Sequence, residues 1–88
     1  MKLRFERAFL RDVERLDSKA KKRVKKVLGD LEQANSLREV EGCKKLKGWR
    51  LYYRVRIGDY RLGVKDLGGG EIAVLRVLHR REIYRRFP

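Results

Sequence analysis

Between Trp49 and Val64 the chain places an apolar residue at nearly every second position. Trp49, Leu51, Tyr53, Val55 and Ile57 alternate with Arg50, Tyr52, Arg54 and Arg56. After Gly58-Asp59, Tyr60, Leu62 and Val64 alternate with Arg61, Gly63 and Lys65. Side chains two apart share a face of a strand, so the pattern predicts two strands, 49–57 and 60–65, joined by a tight turn. One face is apolar and the other is rich in arginine. Gly68-Gly69-Gly70 marks the next turn. It joins two strands and lacks the Lys and Ser/Thr of a phosphate-cradling loop, so a hairpin is the reading. From Ile72 to Leu78 both faces are apolar apart from Arg76, the pattern of a central strand.

The first half of the chain has a longer period. Lys2 to Phe5 alternates briefly, which predicts a short strand. From Glu6, the residues Phe9, Val13 and Leu16 follow helical spacing to an end near Leu16. Asp17 or Ser18 then caps a second helix. Its apolar stripe is Ala20, Val24, Val27, Leu28, Leu31 and Ala34, and it ends near Asn35; its other face is lysine-rich. The predicted fold is α+β. Two N-terminal antiparallel helices pack on one face of a small, mainly antiparallel three- to four-stranded sheet, and 81–87 forms a short C-terminal helical segment. A chain of 88 residues fits a single domain, 1–88.

Composition narrows the function. One cysteine, Cys43, and one histidine, His79, permit no internal disulfide and offer no structural zinc site. No cofactor or metal is expected. The longest apolar run, Ile72 to Leu75, is far short of the ~20 residues of a membrane span. The N-terminus is charged throughout, unlike a signal peptide. A soluble cytoplasmic protein is expected, with no membrane partner. Against this background the formal net charge of +13 is informative. Solubility is served by much less, so the excess points to a polyanion or to an acidic protein partner.

The alternation says where that charge gathers. Arg54, Arg56 and Arg61 share the face turned away from the helices. Ile72, Val74 and Arg76 share one face of the next strand and Ala73, Leu75 and Val77 the other, so Arg76 is expected to join the arginine face. The C-terminal segment adds Arg80, Arg81, Arg85 and Arg86. Guanidinium groups present planar donor forks matched to phosphate. Lys44, Lys45, Lys47, Arg50 and Lys65 are further candidates for contact with an RNA backbone. Tyr52 and Tyr84 lie among these cations, and such tyrosines stack unpaired bases. For Tyr52 the alternative is a half-buried strand residue.

These stretches also carry a family resemblance. "GDYRLGVK" followed by "VLRVLHRREIYRR" resembles the C-terminal signature of the RelE/ParE toxin superfamily, and "KKLKGWRLYYRVRIGDYRL" is similar to its middle strands. The resemblance spans essentially the whole chain and implies the toxin of a type II toxin–antitoxin pair. The RelE-like branch cleaves mRNA in the ribosomal A site; the ParE-like branch poisons DNA gyrase. Position by position, the RelE-like pattern implies basic catalytic residues at Arg54 and Arg56, an arginine at Arg61, another at Arg80 or Arg81, and a tyrosine at Tyr84. Their joint retention favours an mRNA interferase. The alternatives are a gyrase inhibitor and a non-catalytic RNA-binding module. The implied mechanism is metal-independent attack by a ribose 2′-hydroxyl on the adjacent phosphate.

This chain departs from the pattern in carrying arginines where the branch has lysines on the second strand. Arginine stabilises charge but is a poor general base. His79, whose unperturbed pKa lies near neutrality, is either that acid or base or a structural histidine at the strand end. The resemblance further implies a RelB-like acidic antitoxin, the ribosome and mRNA as partners.

Overall fold

The computed structural model describes all residues from Met1 to Pro88. Strand β1 (Lys2–Phe5) leads into α1 (Arg7–Glu14) and α2 (Ser18–Gln33). A 3-10 turn (Leu37–Glu39) precedes β2 (Cys43–Lys45), β3 (Tyr52–Ile57), β4 (Tyr60–Gly68) and β5 (Glu71–His79). A single helical turn, α3 (Ile83–Arg86), ends the chain. Asp17 is the cap of α2, its carboxylate accepting from Ala20 N at 2.8 Å. At the other end of α2, the N-terminal ammonium of Met1 donates to the carbonyls of Leu31, Glu32 and Ala34. A positive charge there satisfies carbonyls that the helix leaves without partners.

The sheet has five strands in the order β1-β5-β4-β3-β2. This corrects the expected three to four. β1 runs parallel to β5, from Lys2 opposite Glu71 to Phe5 opposite Val74, so the sheet is mixed. β2 went unseen because three residues, two of them lysines, carry no periodic signal. The start of β3 is also corrected. The alternation reaches back to Trp49, but the strand begins at Tyr52, because Gly48 (φ 80°) and Leu51 (φ 72°) turn the chain. Trp49 and Leu51 therefore do not face the helices; they are 53% and 43% exposed.

The main core lies between helices and sheet. Phe9, Leu16, Ala20, Val24 and Leu31 meet Val55, Ile57, Leu62, Val64, Ile72, Val74 and Val77. A second, smaller cluster lies on the reverse face, where Leu46 and Leu78 meet Ile83 and Phe87. The face expected to be open is thus partly covered by the chain's own C-terminus.

Arg76 is the largest correction. The β4–β5 ladder pairs Val64 with Val74 and then Gly63 with Arg76, leaving Leu75 as an extra residue. Such a bulge inverts the facing of the residues beyond it. Val77 takes the core position opposite Leu62, and Arg76, opposite Gly63, starts from the reverse face; its guanidinium reaches Asp12 of α1 past the edge of β5 that β1 no longer covers. Its Nε and Nη2 donate to the buried Asp12 carboxylate at 2.7 and 2.9 Å. The same carboxylate accepts from Val77 N at 3.0 Å. β1 has ended by then, so Asp12 supplies the acceptor that a neighbouring strand no longer offers. The Asp12 hydrogen bond raises the Arg76 pKa against the opposing effect of burial. Arg76 is therefore a strut between helix and sheet: it shares its register face with Gly63 and not with Ile72 and Val74, and its charge is paired with Asp12.

Candidate nucleic-acid interface

β3 and β4 set the geometry of this face. Arg56 and Arg61 are direct cross-strand partners, and Arg54 stands opposite Gly63. Arg61 is held by its own hairpin: Nη1 donates to the carbonyls of Gly58 and Tyr60, each at 2.8 Å. Burial lowers its pKa, and so does the adjacent Arg56, with Arg54 and Arg80 adding to the effect and Tyr84 opposing it. The shift records four arginines crowded together. None of Arg54, Arg56, Arg61 and Arg80 has a carboxylate within salt-bridge distance; the chain's four ion pairs lie elsewhere. Like charges held together without counter-ions form a site that an incoming anion relieves.

The C-terminus completes it. Arg80 N donates to Asp59 O at 2.8 Å, tying the end of β5 to the β3–β4 turn. Ile83 and Phe87, four apart on α3 and its C-cap, are buried. Their burial turns Tyr84 outward, 62% exposed, with its ring 5.0 Å from the Arg54 guanidinium carbon. An arginine over a tyrosine ring is a cation–π contact, which fixes both groups.

Other predicted residues are placed differently. His79 pairs across strands with Tyr60, and their rings meet edge to face at 5.8 Å. Tyr60 packs against the main core, so His79 stands on the helix side of the sheet, apart from the arginines. Its Nδ1 accepts from Arg81 N at 3.2 Å. Arg81 and Arg85 are exposed and without ion pairs, while Arg86 is paired with Glu82 at 2.9 Å. Lys44 lies opposite Arg54 and shares its face; Lys45 lies opposite Tyr53, toward the helices. Lys47 and Arg50 are exposed in the β2–β3 loop. Tyr52 is half-buried, with Phe87 edge-on at 5.8 Å and the Lys65 ammonium 5.2 Å from its ring centre.

Three features carry little or no trace in the sequence: the Asp12 strut, the Phe87 anchor and the exposed Trp49. Only the anchor left a usable signal. Gly63 interrupts a strand of side-chain-bearing residues, and glycine in a strand often marks a close approach by another group.

Fold and face together define a small α+β protein with a preassembled cationic surface on its sheet. Comparison with known proteins identifies the family. The model of the ParE toxin of the type II toxin–antitoxin system parDE matches residues 3–84. Toxin RelE3 of Methanocaldococcus jannaschii is 38% identical over 89 residues, covering all of both chains. Among solved structures, the RelB–RelE antitoxin–toxin complex from Methanococcus jannaschii superposes with a TM-score of 0.79 at 37% identity, covering 96% of this chain and 98% of that one. The RelBE2 toxin–antitoxin complex from Mycobacterium tuberculosis gives 0.70 at 28% identity, covering 90% and 96%. The chain belongs to the RelE/ParE superfamily of type II toxins.

Proposed function

We propose that this chain is the toxin of a RelBE-type pair and acts as a ribosome-dependent endoribonuclease on mRNA in the A site. The observation that carries the reading is the arrangement of Arg54, Arg56 and Arg61: mutually close, without counter-ions, and bordered by Tyr84. In the proposed reaction the ribose 2′-oxygen attacks the adjacent phosphorus. The bond to the 5′-oxygen breaks, giving a 2′,3′-cyclic phosphate and a 5′-hydroxyl. Charge builds on the non-bridging oxygens of the five-coordinate phosphorus. Preorganised guanidinium donors oppose it at no cost in reorganisation.

Proton transfer needs another group. Arginine does not lose its proton in proteins. His79 is on the far side of the sheet with Nδ1 engaged, which argues against it. Tyr84 is a titratable side chain in contact with the cluster. It is assigned either proton handling or the stacking of a base beside the scissile phosphate. A RelB-like antitoxin of acidic character, made alongside the toxin, is assigned as the partner that neutralises the face. The known relatives solved with RelB support that assignment.

The test is cleavage of a defined mRNA with and without ribosomes. The wild type should cut only with ribosomes, and Arg61→Ala should be slower by roughly 10²-fold or more. Unchanged cleavage by Arg61→Ala overturns the site. Gyrase inhibition is the second reading, favoured by the ParE family match and by arginines in place of strand lysines. A parallel supercoiling assay decides it: inhibition of gyrase without mRNA cuts would replace the nuclease.

A further inference from the structure

The cationic face does not end at the arginine cluster. Arg56, Arg54 and Tyr52 occupy alternate positions of β3 and share one face. Each has a cation as a cross-strand neighbour: Arg61 for Arg56, Lys44 for Arg54, Lys65 for Tyr52. Lys44 and Lys65 have no ion-pair partner. The result is a regular line of positive charge, with side-chain steps of about 7 Å set by the strand repeat. At its far end stands Trp49, its ring edge-on to Tyr52 at 6.0 Å and 78°.

Trp49 is held in place while remaining exposed. Its loop is pinned by Leu46 N to Tyr52 O (2.9 Å), Trp49 N to Leu46 O (3.3 Å) and Asp66 N to Leu51 O (2.8 Å). The bend needs Leu51 in the left-handed region, at φ 72°, where residues other than glycine are uncommon. Backbone strain of this kind persists only where the surroundings enforce it. Here it sets a half-exposed indole beside Lys47 and Arg50. Tyr52 is poorly placed to stack a base, since Phe87 and Lys65 already occupy its ring. Trp49 has Tyr52 as its one aromatic neighbour, edge-on, which leaves the faces of the indole free of other rings.

We propose that Trp49 is a second base-binding subsite for single-stranded RNA, at the end of the β3 charge line opposite Arg56 and Tyr84. This rests on the proposed function, in which the arginine face takes RNA, and adds direction and reach to it. A strand whose scissile phosphate lies between Arg56 and Arg61 runs along β3 over Arg54 and Lys44. It then places an unpaired base on the indole, just beyond Tyr52, which lies about 13 Å from Arg56 at the strand repeat. Affinity therefore depends on strand length, because a nucleotide too short to span the line reaches only one end. Stacking on an indole tolerates any base, since every base has a π-face.

Trp49 is the chain's only tryptophan, so its fluorescence reports this subsite alone. The probes are oligodeoxythymidylate of roughly ten nucleotides, which lacks the attacking hydroxyl and is not cut, and the dinucleotide of the same base. The long strand should quench Trp49 emission and bind the wild type more tightly than the dinucleotide does. Trp49→Ala, checked for its fold by circular dichroism, should lose roughly 5- to 100-fold in affinity for the long strand, and Trp49→Phe should keep most of it. The dinucleotide, held at the arginine end, should bind Trp49→Ala as it binds the wild type. Unquenched emission with the long strand bound, or equal affinity of Trp49→Ala for it, overturns the proposal. So does emission that changes only when an antitoxin is added, which would assign Trp49 to the protein partner. Failure here leaves the Arg61→Ala cleavage test standing. Quenching by the long strand without any mRNA cleavage would keep the subsite and remove the nuclease.

Discussion

The ring of Phe87 occupies the space that a side chain at Gly63 would need. A Cβ built at Gly63 would lie 2.6 Å from Phe87 Cε1. This contact seats the C-terminal segment on the sheet and so sets where Tyr84 stands. Gly63→Ala should dislodge Phe87 and cost about 1–3 kcal/mol, the usual range for overpacking. Hydrogen exchange provides the local readout. The Phe87 amide, bonded to Ile83 O at 2.9 Å, should exchange faster in the variant. Equal stability and equal exchange would show that the seat does not matter.

Arg56 and Arg61 face each other across the β3–β4 hairpin, and like charges directly opposite destabilise a sheet. Arg56→Gln should therefore leave the protein as stable as the wild type or more stable by up to about 1 kcal/mol at low salt. The gain should fade as salt screens the pair. The same change should flatten the salt dependence of single-strand binding, lowering the slope of log K against log salt by about 0.7 per lost phosphate contact. Denaturant titrations at two ionic strengths and a binding series in salt check both statements.

Tyr84 can be divided into ring and hydroxyl. Tyr84→Phe keeps the ring over Arg54; Tyr84→Ala removes it. If the ring acts by stacking, cleavage by Tyr84→Phe stays near wild type while Tyr84→Ala falls roughly 5- to 100-fold. If the hydroxyl handles protons, both fall alike. We expect the first outcome, because the ring is in contact with Arg54. Single-turnover cleavage on ribosomes is the measurement. The same assay on His79→Gln should show an unchanged pH–rate profile, since His79 lies across the sheet.

The Asp12 carboxylate is 6% exposed and carries three hydrogen bonds. Asp12→Ala leaves Arg76 half-buried without a counter-charge and should cost about 3–5 kcal/mol in urea unfolding. Asp12→Ala with Arg76→Leu should recover part of the loss, since the stranded charge is gone while Val77 N still lacks its acceptor.

Burial pushes the Cys43 thiol up to about 11 from its ordinary 9.0. At pH 8 the reactive thiolate is then roughly 100-fold scarcer than in an unfolded chain, and maleimide should label the native protein correspondingly slowly. Folding stability should be whole below pH 9 and decline toward pH 11. Over that window the unfolded thiol gives up its proton while the folded one keeps it.

Much of this protein is legible in the linear chain, because local pattern states it. Period two along Tyr52–Ile57 and Tyr60–Val64, with Gly58-Asp59 between, determines the hairpin and puts Arg54, Arg56 and Arg61 on one face. Helical spacing from Phe9 to Leu31, with Asp17 between the helices, determines α1 and α2. The features left undetermined depend on residues far apart in the chain. The parallel pairing of Leu3 with Ile72 has no local signature. A single extra residue at Leu75 breaks the alternation along β5, so that Val74 and Val77 both face the core, and Arg76 is paired with Asp12, a carboxylate 64 positions away. The alternation that ran back to Trp49 outlasted its strand, since Leu51 bends the chain where no glycine announces it. And only the tertiary structure folds Phe87 back onto Gly63, where an apolar ring near the chain's end finds the one strand position without a side chain to exclude it.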